Sequence, residues 1–181
     1  MPHYQNSTVT DSKIEIGNYA MYVGSVGASA TAITVNLGAG MVKNFNYAPE
    51  MFTSQAGNAV DPIEGVARET ATLEIDLIEY DASAFSQLSG GMMSAPSSGT
   101  VVVGGQVSSI SGVGMKLVNT RILTSGSTQT TTYVINKAVL NNGWSTSPKS
   151  DNDTDPVLVY SFSITCKQYG SAQTIYEKTV A

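Results

Sequence analysis

The fold is decided by the stretch VDPIEGVARETATLEIDLIEYDASAFSQLSGG, residues 60–91. Inside it, the aliphatic residues Leu73, Ile75 and Leu77 stand at every second position. The positions between them carry the carboxylates Glu74 and Asp76. Successive side chains of a β-strand point to opposite faces. The pattern therefore predicts a half-buried strand whose core face is formed by the three aliphatic residues.

A short helix is predicted directly after this strand. Asp81 can accept hydrogen bonds from the free amides of a first helical turn. Ala82, Phe85 and Leu88 follow at helical spacing, and the glycine pair at 90–91 ends the pattern. We expect Phe85 and Leu88 to pack against the sheet.

The rest of the chain is predicted to be mainly β. Short runs rich in Val, Ile, Thr and Tyr recur between clusters of Gly, Ser and Asn. The predicted strands cover about residues 20–26, 32–37, 41–53, 69–79, 101–103, 115–124, 129–140 and 157–167. Together with the helix they predict a β-sandwich or barrel of about eight strands with one short flanking α-helix.

Several connections can be predicted from turn chemistry. Gly38-Ala39-Gly40 and Ser125-Gly126-Ser127 are expected to be tight turns between antiparallel strands. Asn142-Gly143 also favours a turn, followed by a longer polar loop. Three stretches carry no strand or helix pattern, namely residues 54–68, 90–99 and 145–155. Loops of this length are usually functional or disordered.

Composition bounds the domain organisation and the kind of surface. A length of 181 residues fits a flexible N-terminal arm, residues 1–12, and a single domain, residues 13–181. Charged residues make up only 13% of the chain, against roughly 25% in typical soluble domains. The surface is therefore expected to be rich in Ser, Thr, Asn and Gly. Such a surface suits subunit contacts, because burying neutral polar groups costs less than burying ions.

The charge balance disfavours a surface that holds nucleic acid tightly. The formal net charge is −5, from 14 acidic and 9 basic residues, and Lys and Arg do not cluster in the sequence. Binding to phosphate backbones requires such clusters to displace counterions. The N-terminus lacks the pattern of a secretion signal, and no apolar stretch has the length of a membrane span. We expect neither feature.

No group of residues indicates catalysis or metal binding. His3 is the only histidine, and it lies in the predicted arm, where nothing holds it against a nucleophile. Asp151, Asp153 and Asp155 resemble the start of a calcium loop but lack its later Gly and Glu. Cys166 lies in an alternating apolar strand, which favours a buried side chain over a reactive thiol. We expect no catalytic residue, metal site or cofactor, and no enzymatic activity.

Two further features could be taken for binding sites. Glu74 and Asp76 would stand about 7 Å apart on one strand face, but such neighbours cannot flank a glycosidic bond from opposite sides. They face either solvent or, in an assembly, another subunit or a lumen. Trp144 follows a turn, which favours a core or interface anchor over a sugar-binding platform.

The ordered set of blocks resembles the tail tube proteins of long-tailed bacteriophages, also called major tail proteins. Residues 60–91 are similar to the family's central signature, which is an acidic alternating strand followed by a helix that ends at a glycine pair. AMYVGSVG at 20–27 and VNLGAGMVKNFNYAPEMFT at 35–53 resemble its first hairpin and stacking-loop region. YVINKAVLNNGWSTS at 133–147 and DPVLVYSFSITCKQ at 155–168 resemble its closing strands.

The resemblance implies a structural virion protein. Subunits of this family form hexameric rings that stack into a hollow tail tube, through which DNA passes during ejection without specific binding. The implied partners are further copies of the chain, a tape measure protein, a tail terminator and baseplate or tip proteins. The implied location is the phage tail, after synthesis in the host bacterial cytoplasm.

The resemblance also assigns roles to residues. The loop at about 54–68 corresponds to the family's inter-ring contact loop, and its candidate contact residues are Ser54, Gln55, Gly57, Asn58, Asp61, Glu64 and Arg68. The candidate lumen-facing acids are Glu74, Asp76 and Glu79. Two alternatives stay open: a tube protein of a contractile tail or secretion-like injection system, and a virion carbohydrate-binding or adhesion β-sandwich.

Overall fold

The computed structural model describes residues 17–54, 63–90, 92–97, 100–104, 110–149, 157–170 and 174–181. Nine strands and one helix follow each other along the chain. They are β1 (Asn18–Gly24), β2 (Val35–Ser54), β3 (Ile63–Tyr80), α1 (Ala82–Leu88), β4 (Met93–Ser97), β5 (Thr100–Val103), β6 (Val113–Ile122), β7 (Thr128–Lys149), β8 (Val157–Lys167) and β9 (Tyr176–Val180). The prediction of a mainly β fold with one short helix is confirmed.

The main sheet closes into an antiparallel barrel. Its strand order is β6-β1-β2-β3-β8-β7-β9, and β6 pairs with β7 as well as with β1. The pairings therefore run in a circle from β6 back to β6, and β9 attaches to the first half of β7. The remaining strands, β4 and β5, form a separate two-stranded ribbon. Closure leaves few unpaired strand edges in the barrel wall itself.

The barrel interior is filled by the alternating aliphatic residues of its strands. Leu73, Ile75 and Leu77 of β3 are buried there. The neighbouring strands contribute Met21, Val23, Leu37, Met115, Leu117, Ile135, Leu140, Phe162, Ile164 and Cys166 to the same core. This one continuous core fixes the register of the strands, because a shift by one residue would turn each apolar set to solvent.

Helix α1 covers one end of the barrel. Its N-cap is Asp81, whose Oδ1 accepts a 2.8 Å hydrogen bond from the Ala84 amide. Phe85 and Leu88 are buried, and the Phe85 ring lies edge-on to Phe162 with a centroid distance of 5.4 Å. The spacing in the sequence had predicted both the cap and the buried face.

The Gly38-Ala39-Gly40 segment is not a turn, contrary to expectation. Strand β2 continues through it as one element of 20 residues. A side chain at Gly40 would overlap the carbonyl oxygen of Asp76, and one at Gly38 would overlap that of Glu79. The two glycines therefore allow β2 to approach β3 closely. The β2–β3 register shifts at this point, between Ala39 and Gly40.

Other boundaries also differ from the prediction. Residues 63–68 and 145–149, expected in loops, are strand, and β4 and β9 were not predicted at all. Asn142-Gly143 lies within β7 at a register shift between Asn141 and Trp144, where Gly143 has a φ of 79°. By contrast, Ser125-Gly126-Ser127 does connect β6 to β7 as a hairpin.

Candidate assembly surface

Four long neighbouring strands, β2, β3, β8 and β7, present one broad face away from the barrel core. We call it the outer face. Its side chains alternate with the buried ones and are mostly short and polar. They include Thr72, Glu74 and Asp76 of β3, Ser161, Ser163, Thr165 and Lys167 of β8, and Lys137, Val139, Asn141 and Ser145 of β7. The surface rich in hydroxyl and amide groups that composition predicted is concentrated on this face.

Hydrogen bonds between strands order the outer face. Thr165 donates from its hydroxyl to Asn141 Oδ1 at 2.7 Å, and Asn141 Nδ2 donates to the Ser163 hydroxyl at 3.4 Å. The Ser161 hydroxyl donates to Asp76 Oδ1. These bonds link β3 to β8 and β8 to β7 without exposing free charge.

The three candidate lumen acids have different environments. Glu74 and Glu79 are exposed, whereas Asp76 is only 2% exposed. Lys43 of β2 covers Asp76, with its ammonium 3.1 Å from Oδ2. A carboxylate held in this way presents little negative charge to anything that passes over the face. The orientation of the three acids toward a lumen stays a prediction.

The outer face is close to electrically neutral. Over the rows in which β3 pairs with β8, its charged residues are Lys43, Lys137, Lys167, Glu74 and Asp76, which is three positive charges against two negative ones. The formal charge of the whole chain is −5. The described residues carry eight acidic and eight basic side chains, so the net charge of −5 comes from residues outside them.

The four-stranded sheet ends in two free edges. On β2, pairing with β1 ends at Met41, so residues 44–54 have β3 on one side and no strand on the other among the described residues. On β7, pairing with β6 covers residues 128–138, so residues 139–149 have only β8 as a described strand neighbour. Unpaired backbone donors and acceptors of this kind are ready to accept a further strand.

The same four strands extend beyond the barrel as two-stranded arms. The β2–β3 arm, residues 49–54 and 63–69, continues past the pair Thr70 and Lys167, where β8 ends. The β7–β8 arm, residues 146–149 and 157–160, continues at the other end of β8. Because β3 and β8 are antiparallel, the two arms project from opposite ends of the barrel.

The β2–β3 arm and the adjoining part of β2 carry apolar side chains that nothing covers in the described residues. Tyr47, Met51 and Val66 are 47%, 58% and 48% exposed. Tyr47 is held in place by a 2.7 Å hydrogen bond from its hydroxyl to Glu69 Oε1. An ordered apolar stripe on a projecting ribbon is typical of a surface that contacts another molecule.

Most of the predicted inter-ring contact residues cannot be assigned a position. Gln55, Gly57, Asn58 and Asp61 lie outside the described residues, as does the predicted arm, residues 1–12. Ser54, Glu64 and Arg68 lie in the strands of the β2–β3 arm, and Arg68 is exposed. Strand structure reaches to Ser54 and resumes at Ile63, so residues 63–68 of the predicted loop are strand.

Aromatic side chains close both ends of the barrel. At the end near the β2–β3 arm, Phe45 and Tyr176 meet edge-on with a centroid distance of 4.9 Å, beside a cavity of about 230 Å³. Tyr19 and Tyr133 also line this cavity, and burial raises the pKa of both. At the other end, Trp144 lies 5.2 Å from Phe85 in an edge-on contact, which makes it a core anchor.

The candidate catalytic and metal-ligating residues have the following positions. No three His, Cys, Asp or Glu side chains among them converge on a metal position. Cys166 is buried, and burial raises the pKa of its thiol to about 12, so it carries no thiolate near neutral pH. His3 and the alternating Asp151, Asp153 and Asp155 lie outside the described residues. No helix in the described part of the chain is long and apolar enough to cross a bilayer.

Sequence reasoning missed the features that give this surface its character. The free edges depend on which strands pair, and Lys137 and Lys167 become neighbours only through the β7–β8 register. The cover of Lys43 over Asp76 depends on a register shift in β2 between Val42 and Asn44. The alternation in residues 157–167 predicts one polar face on this strand but does not indicate what that face contacts.

Comparisons with known proteins give little further information. The chain is similar to a solved structure described as the crystal structure of Hcp protein, with 10% identity over 91% of this chain and 99% of that chain. The TM-score is 0.36, which is too low to support a conclusion about fold or function. No family model matches the chain, and no curated protein matches it.

Proposed function

We propose that this protein is a structural subunit that forms hexameric rings, which stack into the hollow tail tube of a bacteriophage. The observation that carries the proposal is the pair of free edges on opposite sides of one four-stranded sheet. The proposed role is mechanical and involves no catalysis, metal or cofactor. The hexameric state, the virion location and the passage of DNA come from the resemblance of the sequence blocks.

Strand direction makes these two edges compatible with each other. Each neighbour in the order β2-β3-β8-β7 is antiparallel, so the first and last strands run in opposite directions. Copies related by rotation about an axis along the strands can therefore join the β2 edge of one subunit to the β7 edge of the next as an antiparallel pair. Repetition of this heterologous contact closes a ring and removes both free edges.

The arms support stacking of such rings. Since they leave the barrel at opposite ends, each subunit can reach a ring above and a ring below in a head-to-tail contact, which extends without limit unless another protein stops it. The exposed stripe of Tyr47, Met51 and Val66 supplies apolar area for that contact. The proposed partners at the ends of the tube are a tail terminator and baseplate or tip proteins. The proposed partner inside the tube is a tape measure protein.

In such a ring the outer face would line the channel. Its hydroxyl and amide side chains are already hydrogen-bonded to each other, so they gain little from binding a passing polymer. Its near neutrality and low apolar content allow DNA to pass without a strong attraction or a strong repulsion.

The same kind of subunit would also form the tube of a contractile tail or of a secretion-like injection system. Contact with a surrounding sheath protein would distinguish these tubes from that of a non-contractile tail. A carbohydrate-binding β-sandwich would instead need exposed aromatic platforms. Phe85, Trp144 and Phe162 pack on one another and so form no such platform, while Tyr47 and Tyr169 are aromatic side chains that are exposed.

Electron microscopy of the purified chain, paired with one edge variant, tests the proposal. Pro148 pairs with Leu158 in the β7–β8 register, and since proline has no N–H, its nitrogen must face the free edge. The amide of Thr146, two residues earlier, faces the same way. Thr146→Pro should therefore leave the subunit folded by circular dichroism but prevent rings and tubes.

Thr146→Val is the matched control, because it changes the same side chain and keeps the N–H. It should assemble like the unchanged protein into hollow tubes of stacked rings. A protein that stays monomeric at high concentration, or a Thr146→Pro variant that assembles normally, would overturn the proposed ring contact.

A further inference from the structure

Lys137 and Lys167 are direct cross-strand partners on β7 and β8. The next pair in the register, Ala138 and Cys166, is buried in the barrel core. Because side chains alternate between faces, both lysines project from the outer face, where each is half-buried. The fold therefore places the two lysine side chains next to each other on one face, although the residues are far apart in the sequence.

No acid neutralises this lysine pair within the part of the chain that the structure describes. The ion pair found there joins Lys43 to Asp76. Glu69 lies next to Thr70, the β3 partner of Lys167, but its carboxylate accepts hydrogen bonds from Tyr47 and Gln168 on the opposite face. Glu74 pairs with Ser163, four residues from Lys167, which is about 13 Å along the strand.

Like charges placed directly opposite each other on neighbouring strands repel. An anion bound between the two ammonium groups would remove that repulsion and gain two charge-assisted hydrogen bonds. Thr70 stands in the same row as the lysines and is uncharged, and its hydroxyl donates to the Ala48 carbonyl at 3.4 Å. We propose that Lys137 and Lys167 form a binding site for a phosphate group, supplied either by a nucleic acid backbone or by a small phosphate compound.

The site belongs to the single subunit and goes beyond the proposed function. If the outer face lines a tube, repetition of the site around each ring gives a circle of weak, sequence-independent phosphate contacts for DNA in transit, and this last consequence rests on the proposed function. Weak contact is what two partly hydrated lysines can provide, because tight binding needs more phosphate contacts per site.

Nuclear magnetic resonance of the unassembled protein with labelled lysine side chains tests the site directly. The probes are inorganic phosphate and a short single-stranded oligonucleotide, each added at constant low ionic strength set with chloride. Lys178, exposed on β9, serves as the reference lysine. The signals of Lys137 and Lys167 should shift together and at lower probe concentration than the signal of Lys178.

Two variants complete the test. Lys137→Gln should weaken the response of Lys167 about fivefold, the effect of losing one partly exposed charge contact, while Lys178→Gln should leave that response unchanged. The two probes are compared at equal phosphate concentration. If the lysine signals shift with the oligonucleotide but not with inorganic phosphate, nucleic acid is the source of the phosphate group. If they shift with inorganic phosphate but not with the oligonucleotide, the source is a small phosphate compound. Equal shifts at all three lysines, or no effect of Lys137→Gln, would overturn the site. Tube formation does not enter this measurement, so its outcome is independent of the ring proposal.

Discussion

Lys43 crosses from β2 to place its ammonium 3.1 Å from Oδ2 of Asp76, a carboxylate that is only 2% exposed on β3. The other carboxylate oxygen accepts a hydrogen bond from the hydroxyl of Ser161 on β8. One buried acid thus joins three neighbouring strands of the outer face. Its charge is compensated within the subunit, so it is not available to a neighbouring molecule.

Removing the cation from this group should destabilise the fold. Lys43→Met removes the ion pair of the buried Asp76 carboxylate, and we expect a loss of about 1–2 kcal/mol in the free energy of unfolding, moderated by the partial exposure of Lys43. Urea denaturation measures the change. Adding Asp76→Asn to Lys43→Met should recover part of the loss, since the uncompensated charge is then absent. If Lys43→Met alone is as stable as the unchanged protein, this account of the ion pair is contradicted.

The Cys166 thiol should be protected from alkylation until the protein unfolds. Burial raises its pKa from 9.0 to about 12. A group with a raised pKa in the folded state contributes stability that is fully present below its unfolded pKa and is lost as the pH rises through the folded pKa. Stability should therefore fall between pH values of about 9 and about 12. Iodoacetamide labelling at pH 8.5 with and without urea checks the protection, and a Cys166→Val variant should show a shallower decline in alkaline denaturation.

The local elements could be predicted where a single physical requirement determined the pattern. Leu73, Ile75 and Leu77 are buried because period-two alternation leaves a strand only one apolar face. Asp81 caps α1 because a short acceptor is needed just before the free amides of the first turn. Neither inference required knowledge of which other strands lie nearby.

Contacts between strands could not be predicted from the pattern of a single segment. Gly38 and Gly40 have turn chemistry, yet in the fold they allow β2 to approach β3, a requirement that appears only once the strands are paired. The polar residues of 145–149 belong to an arm whose hydrogen bonds come from β8. The candidate assembly surface was the part least predictable from the sequence. Its free edges and the Lys137–Lys167 pair depend on strand order and register.

The N-cap of α1 offers a local test of stability. Asp81→Ala removes the 2.8 Å hydrogen bond to the Ala84 amide and should cost about 1 kcal/mol. Asp81→Asn keeps a side-chain acceptor and should cost less. Thermal unfolding followed by circular dichroism compares the two variants. Equal destabilisation by both would mean that the negative charge of Asp81, rather than the hydrogen bond, supports the helix.

Charge reversal at the lysine pair should stabilise the subunit. Lys137→Glu replaces repulsion opposite Lys167 by attraction, for an expected gain of about 0.5 kcal/mol at low salt. The gain should shrink in high salt, since the pair is half-exposed. Lys178→Glu is the control, because it loses the cation–π contact of Lys178 with its register partner Tyr133 and should therefore gain no stability. Denaturation curves in low and high salt measure both variants, and a gain that is independent of salt would contradict an electrostatic origin.

Shortening the tip of the β2–β3 arm should separate ring formation from stacking. Strand pairing runs to Ser54 and Ile63, so residues 55–62 can be replaced by Asn-Gly, a two-residue loop suited to an antiparallel hairpin. The free edges of β2 and β7 are unchanged by this replacement, whereas the predicted contact residues Gln55, Asn58 and Asp61 are removed.

The expected product is a folded subunit that forms isolated rings but no long tubes, because in the proposed assembly edge pairing closes each ring and the arm tip bridges adjacent rings. Analytical ultracentrifugation and electron microscopy distinguish monomers, rings and tubes. Ser125→Ala, in the β6–β7 hairpin at the same end of the barrel as the β2–β3 arm but outside it, is the control and should form tubes normally. Tubes of normal length from the shortened variant would refute the stacking role of this segment, and monomers alone would show that the tip is needed for ring closure instead.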